Sequence, residues 1–361
     1  MEKKLEKKMN LSMTKKLAIT ATAFALVVVL LGAFTRLSHA GLGCPDWPGC
    51  YGFSHIPTQN QDIEIANSAF PERPYEFEKA WPEMVHRYFA ATLGLFVLAL
   101  ALLSLKAENF VTRRHSFGLL VLVIFQAALG MWTVTMKLHP GIVMAHLMGG
   151  FTTLVLLASL SWRYTTSFVS SYSTNEINQF KKLIIFSLII LTLQIMLGGW
   201  TSANYAATIC FELPICQGDW FSNSDYISGF TFWGHGAENY EFGILDAAGR
   251  IAIHTSHRVG AIITTLVLSF LCFKLIKQTN HATLNKFGIL IMLLLVIQIF
   301  LGIFNITYKL PLYNAVAHNG VGALLLLTMG LLLTSLSQSS QFRALQKQSS
   351  HNKTEEGDNY E

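Results

Sequence analysis

The sequence has few charged residues, and this shortage excludes a soluble globular domain. Asp, Glu, Lys and Arg make up 13% of the 361 residues, whereas hydrophobic residues make up 52%. Soluble proteins carry about 25% charged residues. The net charge of +5 comes from basic residues that are scattered along the chain, so it does not predict a nucleic-acid partner. The composition therefore indicates a protein embedded in a lipid bilayer.

Charged residues are especially rare inside the long hydrophobic segments of the chain. A transmembrane helix requires about 20 mostly apolar residues. Eight segments meet this requirement: 17–37, 82–105, 116–136, 141–162, 182–203, 250–273, 284–307 and 312–335. We therefore predict an all-α membrane protein with eight transmembrane helices.

The positions of the Lys and Arg residues predict the orientation of these helices. Basic residues are enriched on the cytoplasmic side of membrane proteins. With a cytoplasmic N-terminus, eighteen of the 26 Lys and Arg residues lie on that side. Both termini are then cytoplasmic, and the two long loops, 38–81 and 204–249, face the outer side.

Short motifs recur in the two halves of the chain and indicate an internal duplication. The repeated motifs are Glu83-Met84-Val85-His86-Arg87 with His254-Thr255-Ser256-His257-Arg258, and Ala145-His146 with Ala317-His318. Each half contains four hydrophobic segments, an even number, so both halves insert with the same orientation. We therefore predict two tandem four-helix bundles that are related by a pseudo-twofold axis along the membrane normal.

This duplication divides the chain into five predicted parts. They are a cytoplasmic N-terminus (1–16), a first four-helix half (17–163), a polar cytoplasmic linker (164–181), a second four-helix half (182–335) and a cytoplasmic tail (336–361). The tail is rich in Ser, Gln, Asn, Lys and Glu, a composition that predicts disorder. The segment 221–243 of the second outer loop has no role that the sequence predicts.

Four histidines lie near the outer ends of hydrophobic segments, namely His86, His146, His257 and His318. Ionisable residues within membrane spans are costly and usually functional. In each half, one histidine comes from the second segment and one from the fourth, and such helices can face each other across a bundle. Opposed imidazoles are typical axial ligands of a haem iron, whereas zinc sites have four ligands. A copper pair and hydrogen-bonded core histidines are the other interpretations. The remaining outer-side histidines, predicted to be surface residues, are His39, His55, His139 and His235.

Charged residues adjoin the first histidine of each pair. Glu83 lies one helical turn before His86 on the same helix face, so it is a candidate acid or base; a helix-start carboxylate is the alternative. Its counterpart in the second half is His254, so the two halves are not equivalent. We expect chemistry in the half with the carboxylate and electron transfer in the other. Arg87 and Arg258 are candidates for binding haem propionates, with ordinary interfacial arginines as the alternative.

Cysteine is rare, and four of the five cysteines lie in the two long outer loops. An oxidising outer compartment favours disulfides, and equal spacing predicts the pairs Cys44–Cys50 and Cys210–Cys216. Small disulfide loops are often reducible, so each pair is either a redox site or a structural staple. The prolines and tryptophan of the first loop predict a rigid, exposed loop, which favours a redox role there. Cys272 lies within a span and is predicted to be a small inert apolar residue.

Taken together, these motifs resemble the haem A synthase family through all eight segments. The resemblance rests on Gly32-Ala33-Phe34-Thr35-Arg36-Leu37, the loop Cys-Pro-Asp-Trp-Pro-Gly-Cys at 44–50, Glu83–Arg87, Ala145-His146-Leu147 with the preceding Pro140-Gly141, and His257-Arg258-Val259-Gly260. It implies an oxidoreductase that converts a ring methyl of haem O to a formyl group by successive hydroxylations, giving haem A for respiratory oxidases. It also implies a location in the bacterial cytoplasmic membrane.

The resemblance further implies a role for each site residue. His257 and His318 would hold a permanent haem b in the second half. His86 and His146 would face the haem O substrate in the first half, with Glu83 as the catalytic carboxylate. The cysteines of the first loop match a pair that exchanges electrons with an outer thiol-redox protein. Candidate partners are therefore haem O, haem O synthase, this thiol protein, the lipid bilayer and a second copy of the chain.

Three other functions compete with this interpretation. A dihaem electron-transfer cytochrome would explain the histidines but not Glu83 or the rigid cysteine loop. A membrane thiol–disulfide oxidoreductase would explain the cysteines but would leave four intramembrane histidines without a role. A transporter built from two repeats would have broken helices and polar residues near the bilayer midplane, whereas the polar residues here cluster at the outer edge.

Overall fold

Long helices form most of the structure, and two short helices lie in the two long loops, 38–81 and 204–249. We call these the outer loops, and their end of the bundles the outer end, after their predicted side of the membrane. The computed structural model describes residues 2–105, 110–165, 174–234, 236–277 and 281–357. The helices in these ranges are α1 (Glu2–Leu37), α2 (Asn60–Ala69), α3 (Phe77–Ser104), α4 (Phe110–Thr135), α5 (Pro140–Thr165), α6 (Thr174–Ala203), α7 (Tyr226–Gly229), α8 (Ala247–Lys277), α9 (Ala282–Thr307) and α10 (Leu312–Gly357).

Eight of these helices, all except α2 and α7, are long and apolar enough to cross a membrane. Their outward faces carry large apolar side chains, since Leu95, Val121, Leu266 and Phe300 are each between 66% and 69% exposed. Exposure of such apolar faces to water is unfavourable, so they are stable only in contact with lipid. The predicted all-α fold with eight transmembrane helices is confirmed, and the chain is a multi-pass membrane protein.

The eight spans form two groups of four, and the same contacts recur in each group. In the first, α1 packs on α3 and α5, and α4 packs on α3 and α5; in the second, α6 packs on α8 and α10, and α9 packs on α8 and α10. The groups meet where α10 contacts α1 and α5, and where α5 contacts α6. Leu154 and Leu157 of α5 and Met329 and Leu332 of α10 are fully buried in the core that the two groups share. The pseudo-twofold axis itself stays a prediction.

The two turns that precede α5 and α10 have matching backbones. Lys137 and Leu138 have φ angles of 46° and 61°, and Lys309 and Leu310 have φ angles of 55° and 65°. Side chains other than glycine rarely adopt this left-handed region. Two consecutive residues in this conformation at corresponding positions fit an internal duplication.

The helices extend beyond the predicted hydrophobic segments at both ends of the chain. α1 begins at Glu2, and the backbone of α10 is helical as far as Gly357, where the composition of 336–361 predicts disorder. Residues 343–347 are Arg, Ala, Leu, Gln and Lys. These residue types are strong helix formers and allow the helix to continue. Residues 166–173 of the predicted linker lie outside the described residues. The five-part division stays a prediction.

The second outer loop packs over the outer end of the first half. His139 is only 4% exposed, and its ring lies 4.2 Å from that of Trp233 and 4.9 Å from that of Tyr240. Arg73 of the first outer loop forms a two-point ion pair with Glu241 of the second, at 2.6 and 3.0 Å. The prediction that His139 is a surface residue was wrong, because the distant loop covers it. His39 and His55 are exposed, as predicted, and His235 lies outside the described residues.

Candidate functional site

The first histidine pair lies near the outer end of the first bundle. His86 on α3 and His146 on α5 have ring centroids 6.4 Å apart and ring planes at 88°. A metal held by two imidazole nitrogens at about 2.0–2.1 Å each, with each centroid about 1.1 Å behind its nitrogen, would separate the centroids by about 6.3 Å. The spacing of this pair therefore fits the axial ligation of a haem iron.

The second pair has the corresponding position in the second bundle. His257 on α8 and His318 on α10 are close enough to interact electrostatically. The structure therefore brings together the same two pairs of histidines that the sequence predicts. Their role as iron ligands stays a prediction.

A glycine from a neighbouring helix makes room for each of the four imidazoles. A methyl group built on Gly32 would lie 2.9 Å from Cε1 of His86, and one built on Gly198 would lie 3.0 Å from Cε1 of His257. The corresponding distances are 3.4 Å for Gly130 with His146 and 3.2 Å for Gly302 with His318. Sequence reasoning missed this role, although glycines at fixed positions of the repeated motifs were a signal for it.

Each imidazole also faces a main-chain carbonyl one helical turn before that glycine. These carbonyls belong to Val28, Gln126, Gln194 and Gln298. Metal-ligating histidines almost always direct their second ring nitrogen to a carbonyl or carboxylate, which fixes the tautomer. Carbonyls at these positions are compatible with metal ligation by the four rings, which stays a prediction.

Three of the four imidazoles each have a buried nitrogen that lacks a hydrogen-bond partner within the described residues. These atoms are Nδ1 of His86, His146 and His318. Burial of a polar atom without a partner is costly, so these three nitrogens need a partner that the described residues do not supply. The haem groups that the resemblance implies thus fit both histidine pairs.

Glu83 connects the first histidine pair to the first cysteine loop. Its side chain is 4% exposed and lies one turn before His86 on α3. One carboxylate oxygen accepts a hydrogen bond from the main-chain N–H of Cys44 at 2.9 Å, and the other forms an ion pair with Arg87. The carboxylate is therefore fixed in place beside the histidine pair.

Arg87 and Arg258 hold the two cysteine loops in the same way. Arg87 donates to the carbonyl oxygens of Asp46 and Gly49, at 2.9 and 2.5 Å. Arg258 donates to the carbonyls at the corresponding positions of the second loop, those of Glu212 and Ile215, and to the carbonyl of Cys210. Its Nε also donates to His254, which replaces Glu83 in the second half, at 3.0 Å. The two arginines thus stabilise the loops, and propionate binding by either of them stays a prediction.

Both predicted disulfides are present. Cys44–Cys50 and Cys210–Cys216 are bonded, and Cys272 is a buried free cysteine. Cys44 and Cys50 are each 0% exposed, although Trp47 between them is 41% exposed. The prediction of an exposed first loop is therefore wrong for the cysteines themselves, because Tyr51 and Met84 pack against them in a small apolar cluster.

Comparisons with known proteins identify the family of this chain. A family model described as cytochrome oxidase assembly protein matches residues 15–330. A haem A synthase of Shewanella oneidensis is 47% identical over 306 residues, which cover 85% of this chain and 91% of the relative. A haem A synthase of Flavobacterium johnsoniae is 25% identical over 351 residues, covering 89% and 96% of the two chains. A haem A synthase of Bacillus pumilus is 25% identical over 316 residues, covering 84% and 88%. The chain belongs to the haem A synthase family of cytochrome oxidase assembly proteins.

Proposed function

We propose that this chain is a haem A synthase, an oxidoreductase that oxidises a ring methyl of haem O to a formyl group by successive hydroxylations. Membership of the family supports the enzyme class. One observation supports the assignment of the reaction to the first half: a buried carboxylate, Glu83, lies one turn from the histidine pair there, whereas the second half has His254 at that position. The two halves are built for different tasks.

His86 and His146 would hold the haem O substrate, and His257 and His318 would hold a haem b cofactor. When bound, the haem b iron supplies a one-electron redox centre. The protein's own contribution is to orient the four imidazoles through the glycine and carbonyl contacts described above. This positioning holds the reacting group in one place relative to Glu83.

Glu83 would hold and release a proton at one of its carboxylate oxygens. General acids and bases act within hydrogen-bond reach of the group that they serve. Because the N–H of Cys44 and the guanidinium of Arg87 hold the two oxygens, the carboxylate keeps one position beside His86. The aromatic side chains that cover His139 would keep water from the outer end of the first bundle.

The orientation and the partners belong to the same proposal. We place both termini in the bacterial cytoplasm and the histidine pairs near the outer face of the cytoplasmic membrane, in line with the distribution of Lys and Arg. Haem O is the proposed substrate. Haem O synthase, an outer thiol-redox protein and a second copy of the chain are the proposed protein partners.

Mass analysis of the haems extracted from purified protein tests this function. The protein is produced together with a supply of haem O, in wild-type form and as His257→Ala and His86→Ala. We expect haem b together with haem O, a hydroxylated haem or haem A in the wild type. His257→Ala should lose haem b, and His86→Ala should keep it. Haem b alone in the wild type would indicate an electron-transfer cytochrome, and full haem b in His257→Ala would contradict the ligand assignment.

A further inference from the structure

A glutamine lies one helical turn before the ring-contacting glycine in three of the four histidine sites. These glutamines are Gln126 on α4, Gln194 on α6 and Gln298 on α9. The corresponding residue of α1 is Val28, four residues before Gly32. Three histidines thus have an amide side chain beside them, and His86 alone has an apolar one.

The contacts of Gln194 are the most complete of the three. Its Nε2 lies 3.0 Å from Nδ1 of His257 and 3.0 Å from the carbonyl oxygen of the same residue. Gln298 contacts the other ring nitrogen of its histidine, with its Nε2 at 3.3 Å from Nε2 of His318. One amide therefore contacts both the ring and the main chain of His257. With iron on Nε2 of His257, Nδ1 carries the proton, and the amide would turn its Oε1, which has no partner within the described residues, to accept from it.

A second glycine on the histidine's own helix makes room for each amide. A methyl group on Gly260 would lie 2.3 Å from Oε1 of Gln194, and one on Gly149 would lie 1.6 Å from Nε2 of Gln126. The position in the first half that corresponds to Gly260 is Phe89, which stacks on Phe24 at 5.1 Å. Both members of the contact, the glutamine and its glycine, are thus replaced by apolar residues next to His86.

At the sequence level, the difference between the halves is at the first ligand of each pair, where Val28 replaces the glutamine. The second ligands, His146 and His318, both have a glutamine on the preceding helix. Partners that orient a metal-ligating histidine raise the affinity for the metal, and their loss typically weakens it by about 10–100-fold. An imidazole that the protein already holds also loses less conformational entropy when its metal binds.

We propose that Gln194 is a positioning residue that makes the haem of the second half permanent, and that Val28 leaves the haem of the first half exchangeable. This inference rests on the proposed function, which assigns a cofactor to one half and a substrate to the other. Gln194 acts through His257 and does not itself contact the iron. The valine at position 28 lets His86 bind and release successive haem molecules.

The test is the rate at which purified protein transfers haem b to an excess of haem-free myoglobin. Gln194→Met keeps the length of the side chain but removes both hydrogen bonds, and Val28→Met is the matched control at the corresponding position. We expect haem b transfer about 10–100-fold faster in Gln194→Met and unchanged in Val28→Met. The low-temperature EPR signal of the second-half haem should also shift in Gln194→Met, because the ring of His257 is free to turn.

Unchanged transfer and an unchanged EPR signal in Gln194→Met would overturn the inference, and so would equal acceleration by both substitutions. If the wild-type protein retains haem b but transfers it as fast as Gln194→Met does, only this inference is refuted. Wild-type protein that binds no haem would instead refute the proposed function. The two failures can therefore be told apart.

Discussion

At the scale of single residues, the two halves differ in charge at Glu83, whose counterpart in the second half is His254. Glu83→Gln keeps an oxygen that accepts the hydrogen bond from Cys44 but removes the ionisable group. We expect the yield of haem A to fall by about 10²–10⁴-fold, the usual contribution of a general acid or base. The haem b that we propose for the second half should remain. Product quantification by mass spectrometry and the absorption spectrum of the purified protein measure the two quantities, and normal product would remove Glu83 from the mechanism.

Tyr51 gives a prediction about pH. Burial raises its pKa from 10.0 to about 12, and its hydroxyl donates to the carbonyl of Pro74. Because the folded state favours the neutral phenol, this stabilisation is complete below about pH 10 and is lost as the pH rises through about 12. The difference in ultraviolet absorbance between wild type and Tyr51→Phe should therefore show an ionisation near pH 12. A midpoint near 10 would contradict the buried position.

The candidate site residues that the structure brings together could largely be predicted from the sequence, while the residues that contact them could not. His86 and Glu83 stand out because ionisable groups are rare in spans and recur at one spacing. Gly32 and Gln194 are ordinary residues of transmembrane helices, and their roles depend on which helix packs against them. That contact joins residues that are distant in sequence, so the recurrence of the glycines in both halves is a signal for it, whereas no local pattern identifies the partner.

At the scale of structural elements, each His-Arg motif is tied to one disulfide loop. Arg87→Met removes the donor to three loop carbonyls, those of Asp46, Pro48 and Gly49. It also leaves Glu83 buried without its charged partner, which typically costs about 3–5 kcal/mol. We expect Cys44–Cys50 to be reduced faster by a thiol reductant, while Cys210–Cys216 is unaffected. Arg258→Met should have the opposite selectivity.

Mass mapping of alkylated cysteines after timed reduction measures both rates in one sample. Each arginine variant is the control for the other, because the two loops differ in which arginine they contact. Equal acceleration of both disulfides in Arg87→Met would show general unfolding rather than loss of a local contact.

Helix positions were well predicted because long apolar runs leave few alternatives in a bilayer. The ends were less well predicted. α8 begins at Ala247 and α3 at Phe77, several residues before the predicted segments, since polar residues can continue a helix at the membrane surface. The backbone of the tail is helical as far as Gly357, and its disorder stays a prediction.

At the scale of the whole molecule, the ion pair between Arg73 and Glu241 joins the outer loops of the two halves. The side chain of Glu241 is 5% exposed and that of Arg73 is 21% exposed, so water screens the pair only partly. Arg73→Glu and Glu241→Arg should each lower the melting temperature, and the double exchange should restore part of the loss. A double-mutant cycle should give a coupling energy of about 0.5–3 kcal/mol.

Strictly additive effects would show that the pair contributes nothing to the cohesion of the two halves. The sequence predicted two halves but not this connection, because segment 221–243 carries no motif of its own. Its function as a cover over the first half follows from contacts with His139 and Arg73, which precede it by many residues.

The cover over the first half also imposes an order on biosynthesis. The spans of the first half leave the ribosome before residues 232–241, so His139 is synthesised well before Trp233 and Tyr240 can enclose it. Until then, these aromatic side chains do not cover the outer end of the first bundle. A first half produced alone would remain in this uncovered state, and co-production of the second half as a separate chain should cover it.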